Sequence, residues 1–236
     1  MKKNNFDKTL TYIISICFIL TAFLGTVHFC CFDEKFYTNE HNKIMLYGKH
    51  INEHIGISNE QLQDLTHFTL SYLNDPDASL DLVMNVNGKD REVFTDDEKA
   101  HMVDVRTLNL NSVYICILSF IIFSISVLYY LLKKKGIYLL YTNYKKTLIY
   151  ALMIFSVLGI WILIDFDSFW TLFHMIFFTG NDLWILNLRK DILIMIVPPE
   201  FFNHLVIRII VIFVLCIILF GVILFLLNRR KKIISD

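Results

Sequence analysis

Four long apolar runs constrain this chain more than any other feature of its sequence. They cover residues 10–31, 114–132, 147–164 and 209–227. A hydrocarbon core about 30 Å thick is crossed by about 20 helical residues, so each run is long enough to span one. Because 56% of the residues are hydrophobic, a disordered or linker-like chain is excluded. The runs predict an α-helical integral membrane protein with four transmembrane helices.

Charged residues are distributed unevenly among the segments that flank these runs. Segments 1–9, 133–146 and 228–236 carry 12 of the 22 Lys and Arg residues but only two acids. Segments 32–113 and 165–208 carry 10 basic and 20 acidic residues. Because cytoplasmic loops are enriched in Lys and Arg, both termini are predicted to be cytoplasmic and both long loops to lie outside. The balanced total charge gives no indication of nucleic-acid binding.

These patterns divide the chain into five predicted parts. Residues 1–31 hold a cytoplasmic N-terminus and the first transmembrane helix, whose apolar run is too long for a signal-peptide core and is predicted to remain as an anchor. Residues 32–113 form an extracytoplasmic cap. Residues 114–164 hold two transmembrane helices and a cytoplasmic loop at 133–146. Residues 165–208 form an aromatic interfacial outer loop. Residues 209–236 hold the last transmembrane helix and a basic cytoplasmic tail.

Local motifs predict a small mixed α/β fold for the cap. A capping-box pattern starts at Ser58 and opens an amphipathic helix. Asn87-Gly88 lies between two short strand-like segments and favours a tight hairpin turn, because both residues tolerate positive φ. A second capping box starts at Thr95 and predicts a helix that continues towards the second apolar run.

The outer loop is rich in aromatic residues, with His174 in their midst. Aromatic side chains prefer the headgroup level of a membrane, so the loop is predicted to lie in the outer interface. A helix is expected there, followed by a turn at Gly180 and a break in the chain at Pro198. The aromatic residues are Phe166, Phe169, Trp170, Phe173, Phe177, Phe178, Trp184, Phe201 and Phe202.

Histidines are the candidate chemical groups, because the Gly-x-Ser-x-Gly, Walker and Cys-x-x-Cys signatures are missing from the sequence. His101 and Asp104 are three residues apart on one predicted helix, so the carboxylate could orient the imidazole. The same spacing fits a surface hydrogen bond equally well. His101 and His174 are expected near the same interface, where two histidines could divide general acid and general base work near neutral pH.

A second histidine pair matches the His-x-x-Glu-His pattern of zinc proteases. It lies at 50–54, with His50 and His54 as the possible ligands. Gly48 and Gly56 stand close on either side, which disfavours a stable helix, and an aligned Glu-rich helix that could supply a third ligand is not evident downstream. A solvated polar stretch is the preferred interpretation.

Two segments resemble the lipoprotein intramolecular transacylase (Lit) family. One is Glu98-Lys99-Ala100-His101-Met102-Val103-Asp104-Val105. The other runs from Phe173-His174-Met175-Ile176-Phe177-Phe178 through Trp184 and Asp191-Ile192-Leu193-Ile194 to Pro199-Glu200-Phe201-Phe202. The order of anchor, cap and three further spans is also similar, so the resemblance extends over most of the chain.

The resemblance implies a reaction and the residues that carry it. Lit-like enzymes move the sn-2 acyl chain of a diacylglyceryl lipoprotein onto the α-amine of its N-terminal cysteine, which leaves a lyso-form lipoprotein. The family's two catalytic histidines correspond to His101 and His174. Donor ester and acceptor amine belong to one substrate molecule, so neither an enzyme nucleophile nor an acyl-enzyme is required. No cofactor or metal is expected.

Other residues are expected to support this pair. Asp104 is expected to orient His101, and an aromatic chamber would hold the amine and the ester close together. The chamber residues are expected to orient or bind substrate and are Phe173, Phe177, Phe178 and Trp184. The expected partners are the diacylglyceryl lipoprotein and membrane lipid, in the bacterial cytoplasmic membrane. The sequence leaves the oligomeric state open.

Two other functions stay open at this point. A non-catalytic membrane receptor or scaffold would also lack a nucleophile and could carry the same aromatic belt. A zinc-dependent membrane hydrolase would use His50 and His54. A transporter is disfavoured, because the four apolar runs contain almost no ionisable residue.

Overall fold

The computed structural model describes residues 2–133 and 136–235. Lys134 and Lys135 of the predicted cytoplasmic loop lie outside the described residues, as do Met1 and Asp236. The described residues form helices α1 (Lys2–Cys31), α2 (Glu34–His41), α3 (Ile51–Ile55), α4 (Asn59–Asn74), α5 (Asp96–Leu132), α6 (Ile137–Ile164), α7 (Phe166–Phe177), α8 (Ile192–Ile196) and α9 (Pro199–Ser235). Their strands are β1 (Met45–Leu46), β2 (Lys49–His50), β3 (Val83–Val86) and β4 (Lys89–Glu92).

Helices α1, α5, α6 and α9 are long and apolar enough to cross a membrane, and they contain the four predicted spans. The qualifying segments are Asn5–Cys31, Asp96–Leu132, Ile137–Ile164 and Pro199–Arg230. Many of their large apolar side chains are exposed, among them Leu118, Ile154 and Leu219. Exposed apolar surface of this extent, on helices long enough to cross a bilayer, is typical of a lipid-facing bundle. The predicted four-helix membrane fold is therefore confirmed.

The first of two compact units comprises Met1–His28, Ser112–Ile164 and Ile207–Asp236. Its centre is the fully buried Tyr144, whose hydroxyl donates to the backbone carbonyl of Ile217 over 2.5 Å. A second buried polar contact joins Asn143 Nδ2 to Thr11 Oγ1 at 2.8 Å. In a lipid-facing bundle such bonds add to close packing, because lipid supplies no hydrophobic force between helices.

Close packing in this unit depends on a small residue at position 221. A Cβ on Gly221 would lie 3.2 Å from Tyr144 Cε1 and 3.4 Å from Leu148 Cδ2. Beside it, the rings of Phe18 and Phe220 stack with centroids 3.9 Å apart. Helices that approach closely in membranes use small residues at the contact in this way.

The second unit comprises Phe29–Asn111 and Asp165–Val206, and its cap has the predicted mixed α/β content. The Ser58 capping box is confirmed, because Ser58 Oγ accepts from the Gln61 N–H and Gln61 Oε1 accepts from the Ser58 N–H. Helix α4 then buries the face that carries Leu62, Leu65 and Tyr72.

The predicted hairpin forms at Asn87-Gly88, where both residues have positive φ (53° and 79°). Strands β3 and β4 are shorter than the strand-like segments at 80–86 and 89–94, and the flanking Leu80 and Phe94 are buried outside the ladder. A second hairpin, β1–β2, was not predicted. Each of its strands has only two residues, too few for an alternating pattern to be visible.

Arg106 fixes the start of α5 against the end of α4. Its Nη1 donates to the backbone carbonyls of Asp75 and Ala78 at 3.2 and 2.7 Å. Its guanidinium also lies 4.4 Å from the centre of the Tyr72 ring, within cation–π range. The first turns of α5 are thereby held on the cap.

We expect Gly221→Leu to destabilise the first unit by about 1–3 kcal/mol, because the new side chain overlaps Tyr144. The measurement is the thermal unfolding midpoint of the purified protein in detergent. Gly159→Leu is the matched control, since a Cβ there meets nothing within 4 Å. Equal midpoints for the two variants would contradict the packing assignment.

Candidate active site

The second unit contains a buried carboxylate, Glu98, that organises the first turn of α5. Its Oε2 accepts from the backbone N–H and the hydroxyl of Thr95 at 2.7 and 2.9 Å, which confirms the predicted capping box. Its Oε1 accepts from the backbone N–H of Leu193, in α8, at 2.6 Å. The side chain is fully buried. Glu98 therefore joins the start of α5 to the outer loop.

His101 lies one turn beyond Glu98 on the same helix face, and only 6% of it is exposed. Its Nδ1 is buried and, among the described residues, has no hydrogen-bond partner. A buried ring nitrogen of this kind is uncommon in folded proteins and requires an explanation, of which a catalytic role is one.

His174 reaches the same region from α7. The side chain of Asp165 caps this helix by accepting from the Ser168 N–H and hydroxyl. His174 is also 6% exposed, and its Nδ1 lies 2.7 Å from the backbone oxygen of Trp170. A carbonyl oxygen only accepts, so Nδ1 carries the proton and Nε2 of the neutral ring keeps its lone pair.

The two histidine rings lie side by side, with centroids 6.2 Å apart and planes inclined by 30°. Phe178 contacts both of them, at 5.1 Å from His101 and 5.4 Å from His174. The structure thus brings together the two histidines that the sequence singled out, although 72 residues of chain separate them.

Burial sets the electrostatics of His174. It lowers the pKa of the imidazole below the ordinary histidine value, while the bond to the Trp170 carbonyl acts in the opposite direction. The ring is therefore neutral at pH 7 and available as a base. When it is protonated, the same carbonyl stabilises the imidazolium.

The predicted aromatic residues have different places around the pair. Trp184 stacks on His174 with centroids 4.9 Å apart, and Phe173 meets the same ring edge-on at 5.5 Å. Phe177 is exposed and contacts Phe173 rather than a histidine. Trp170, which was not among the predicted site residues, packs against His174 at 4.7 Å. Its position four residues before His174 on a helix was the signal that could have found it.

Asp104 has a different partner from the one expected. Its Oδ2 accepts from Asn181 Nδ2 at 3.1 Å, and no hydrogen bond between Asp104 and His101 occurs in the described residues. Asp104 and Asn181 line a cavity of about 200 Å³. A second cavity, of about 340 Å³, shares Phe178 and Asn181 with the first and includes Trp184 in its lining.

A second polar cluster ties α2 to the region around α8 and the start of α9. His41 Nε2–H donates to the Ile196 carbonyl at 2.8 Å. Burial alone would raise the pKa of Glu40, but hydrogen bonds from Lys43 and His204 lower it below the usual value. This cluster joins α2 to the outer loop, and no local sequence pattern indicated that role.

Comparison with known protein families identifies the family of this chain. The model of the family described as lipoprotein intramolecular transacylase Lit matches residues 12–202. This chain belongs to the Lit family. The matched range includes Glu98, His101 and His174, so the histidine pair lies inside it. The resemblance inferred from the two sequence segments is confirmed, and with it the prediction that the protein is an enzyme of this class.

Solved structures support the Lit fold. A membrane-integral lipoprotein intramolecular transacylase Lit from Bacillus cereus is 22% identical, with a TM-score of 0.77; the match covers 98% of this chain and 99% of that one. A variant of the same protein with a histidine replaced by arginine gives 20% identity and a TM-score of 0.77, covering 99% and 96%. None of the curated proteins compared with the sequence matches it.

In this Lit-family chain the other histidine pair is arranged differently from the zinc-protease pattern. His50 ends strand β2 and precedes α3, which is five residues long, while His54 lies within α3. The described residues contain no group of three or more His, Cys, Asp or Glu side chains that could hold a metal ion.

We expect Glu98→Gln to lower stability by about 1–3 kcal/mol, because an amide nitrogen cannot accept the bonds that one carboxylate oxygen now accepts. The thermal unfolding midpoint in detergent measures this loss. Glu60→Gln is the control, since Glu60 is exposed in the first turn of α4. An unchanged midpoint for the Glu98 variant would mean that the carboxylate does not hold the loop.

Proposed function

We propose that this Lit-family protein transfers the sn-2 acyl chain of a diacylglyceryl lipoprotein to the α-amine of the same N-terminal cysteine. The observation that carries the proposal is the pair of buried histidine rings, 6.2 Å apart, among aromatic side chains. The product is a lyso-form lipoprotein with an N-acylated cysteine. Both reacting groups come from the substrate, so the enzyme needs only to position them and move one proton.

His174 is the proposed general base. Its Nδ1–H is engaged by the Trp170 carbonyl, which leaves Nε2 to take a proton from the attacking amine. The amine nitrogen forms a bond to the sn-2 ester carbon, and the bond from that carbon to the glycerol oxygen breaks. The proton that His174 takes from the nitrogen then passes to the leaving glycerol oxygen, so His174 returns to its neutral form and the atoms balance.

His101 is the proposed hydrogen-bond donor to the reacting oxygen atoms of the substrate. Its Nδ1 has no hydrogen-bond partner among the described residues, so the neutral ring can present an N–H that hydrogen-bonds to the tetrahedral oxyanion and to the leaving glycerol oxygen without giving up its proton. Phe173, Phe178 and Trp184 would restrict the substrate to a folded geometry. The transition state is a large ring, and its entropic cost falls when the ends are held together in advance.

The charge distribution supports a proposed orientation in the bacterial cytoplasmic membrane. The basic segments 1–9, 133–146 and 228–236 would be cytoplasmic, and the acidic segments 32–113 and 165–208 would be outside. Membrane lipid would surround the four spans. The site would then face the side on which lipoproteins carry their diacylglyceryl-cysteine.

We expect His101→Ala and His174→Ala each to abolish formation of the lyso-form lipoprotein in a bacterium that makes diacylglyceryl lipoproteins. The measurement is mass spectrometry of the N-terminal lipopeptide, at equal levels of membrane protein. His54→Ala is the matched control and should retain full activity; its loss of activity would favour the zinc hydrolase instead. Product formation by either alanine variant of the pair would contradict the proposed roles.

The pH dependence should report His174. Because burial lowers the pKa of its imidazole, the neutral base persists below the ordinary histidine pKa of about 6.5 and is lost only as the pH falls through the lower value. We expect one ionisation on the acid limb of the rate at saturating substrate, beside that of the substrate's own ammonium group, to have its midpoint below about pH 6.5. The absence of any ionisation below that value would show that a different group is the base.

A further inference from the structure

Asp104 is an acidic side chain near His101 that the proposed chemistry leaves without a task. It lies three residues after His101 on α5 and is half-buried. Its Oδ2 accepts from Asn181, whereas within the described residues Oδ1 accepts no hydrogen bond. A carboxylate with one oxygen fixed and the other free is suited to bind a donor from outside the chain.

The free oxygen belongs to the wall of the 200 Å³ cavity. Polar side chains supply most of this wall, and the apolar part includes two phenylalanines. The lining residues are Asp104, Thr107, Leu108, Asn111, Phe177, Phe178, Thr179 and Asn181. Asp104 is the only charged residue among them, and none is basic. A carboxylate, hydroxyl and amide oxygens, and aromatic faces together favour a small organic cation.

The cavity adjoins the proposed reaction centre through Phe178. This ring forms part of the lining and also contacts both His101 and His174. A group held in the cavity is therefore one side chain away from the two histidines.

We propose that this cavity binds the α-ammonium group of the substrate's N-terminal cysteine, with Asp104 as its acceptor. The proposal rests on the proposed function, because that reaction requires the substrate to bring its N-terminus to the histidines. A free α-amine has a pKa of about 7.7–8.0, so the protonated form is the abundant species at neutral pH. Asp104 captures that form next to Phe178, the ring that contacts both histidines. One proton of the ammonium passes to water to give the free amine, and the proton lost during attack passes through His174 to the glycerol oxygen.

Direct binding to the full-length protein in detergent tests the assignment without relying on turnover. The probes are two dialkylglyceryl-cysteine peptides with ether-linked chains that cannot be transferred, one with a free α-amine and one Nα-acetylated. We expect the wild-type protein to bind the probe with the free α-amine about tenfold more tightly than the Nα-acetylated probe. Asp104→Asn should abolish that preference, and Asp104→Glu should retain most of it. If Asp104 had only a structural role, Asp104→Asn would weaken the binding of both probes equally.

Asp97→Asn is the control, since it removes the same charge from an exposed position on the same helix and should keep the preference. A preference that survives Asp104→Asn, or a wild type that binds both probes equally, would overturn the assignment. If Asp104→Asn does not fold, the wild-type preference must decline above about pH 8 as the amine loses its charge. Failure of the proposed function is seen separately, as wild-type protein that leaves diacylglyceryl lipopeptide unchanged.

Discussion

The buried carboxylate of Glu98 is the interaction on which the site depends. It bonds to the start of α5 through Thr95 and to the start of α8 through the Leu193 N–H, and so joins two segments that lie 95 residues apart in the chain. A buried polar group is stable only when it is hydrogen-bonded, and the oxygens of Glu98 accept three hydrogen bonds. Because His101 is one turn away, the same bonds set where its ring stands relative to the outer loop.

A helix cap, a glycine turn and a proline break determine the path of the outer loop. Asp165 caps α7 and sets its direction, and the positive φ of Gly180 allows the chain to turn after it. Pro198 separates α8 from α9, which begins at Pro199, the first helical position that proline favours. The predicted helix, turn and break in this loop are all present. The short helix α8 between them was not predicted.

The proposed chemistry uses unusually few protein groups. A substrate that carries both the ester and the amine leaves the protein with one proton to move and one ring-shaped transition state to organise. Two buried histidines, of which one has its tautomer fixed by a backbone carbonyl, supply the first requirement. The aromatic side chains packed around them supply the second. The absence of a serine or cysteine nucleophile motif from the sequence is consistent with this division of work.

Composition and periodicity by themselves determined the four membrane helices, both capping boxes and the Asn87-Gly88 turn, because each depends on residues that are neighbours in the chain. Resemblance between two short segments and a known family determined which of the two histidine pairs to prefer. Only the tertiary structure decided that Asp104 pairs with Asn181 instead of His101, and that Glu98 holds Leu193. Both contacts join residues far apart in sequence, where spacing along one helix carries no information.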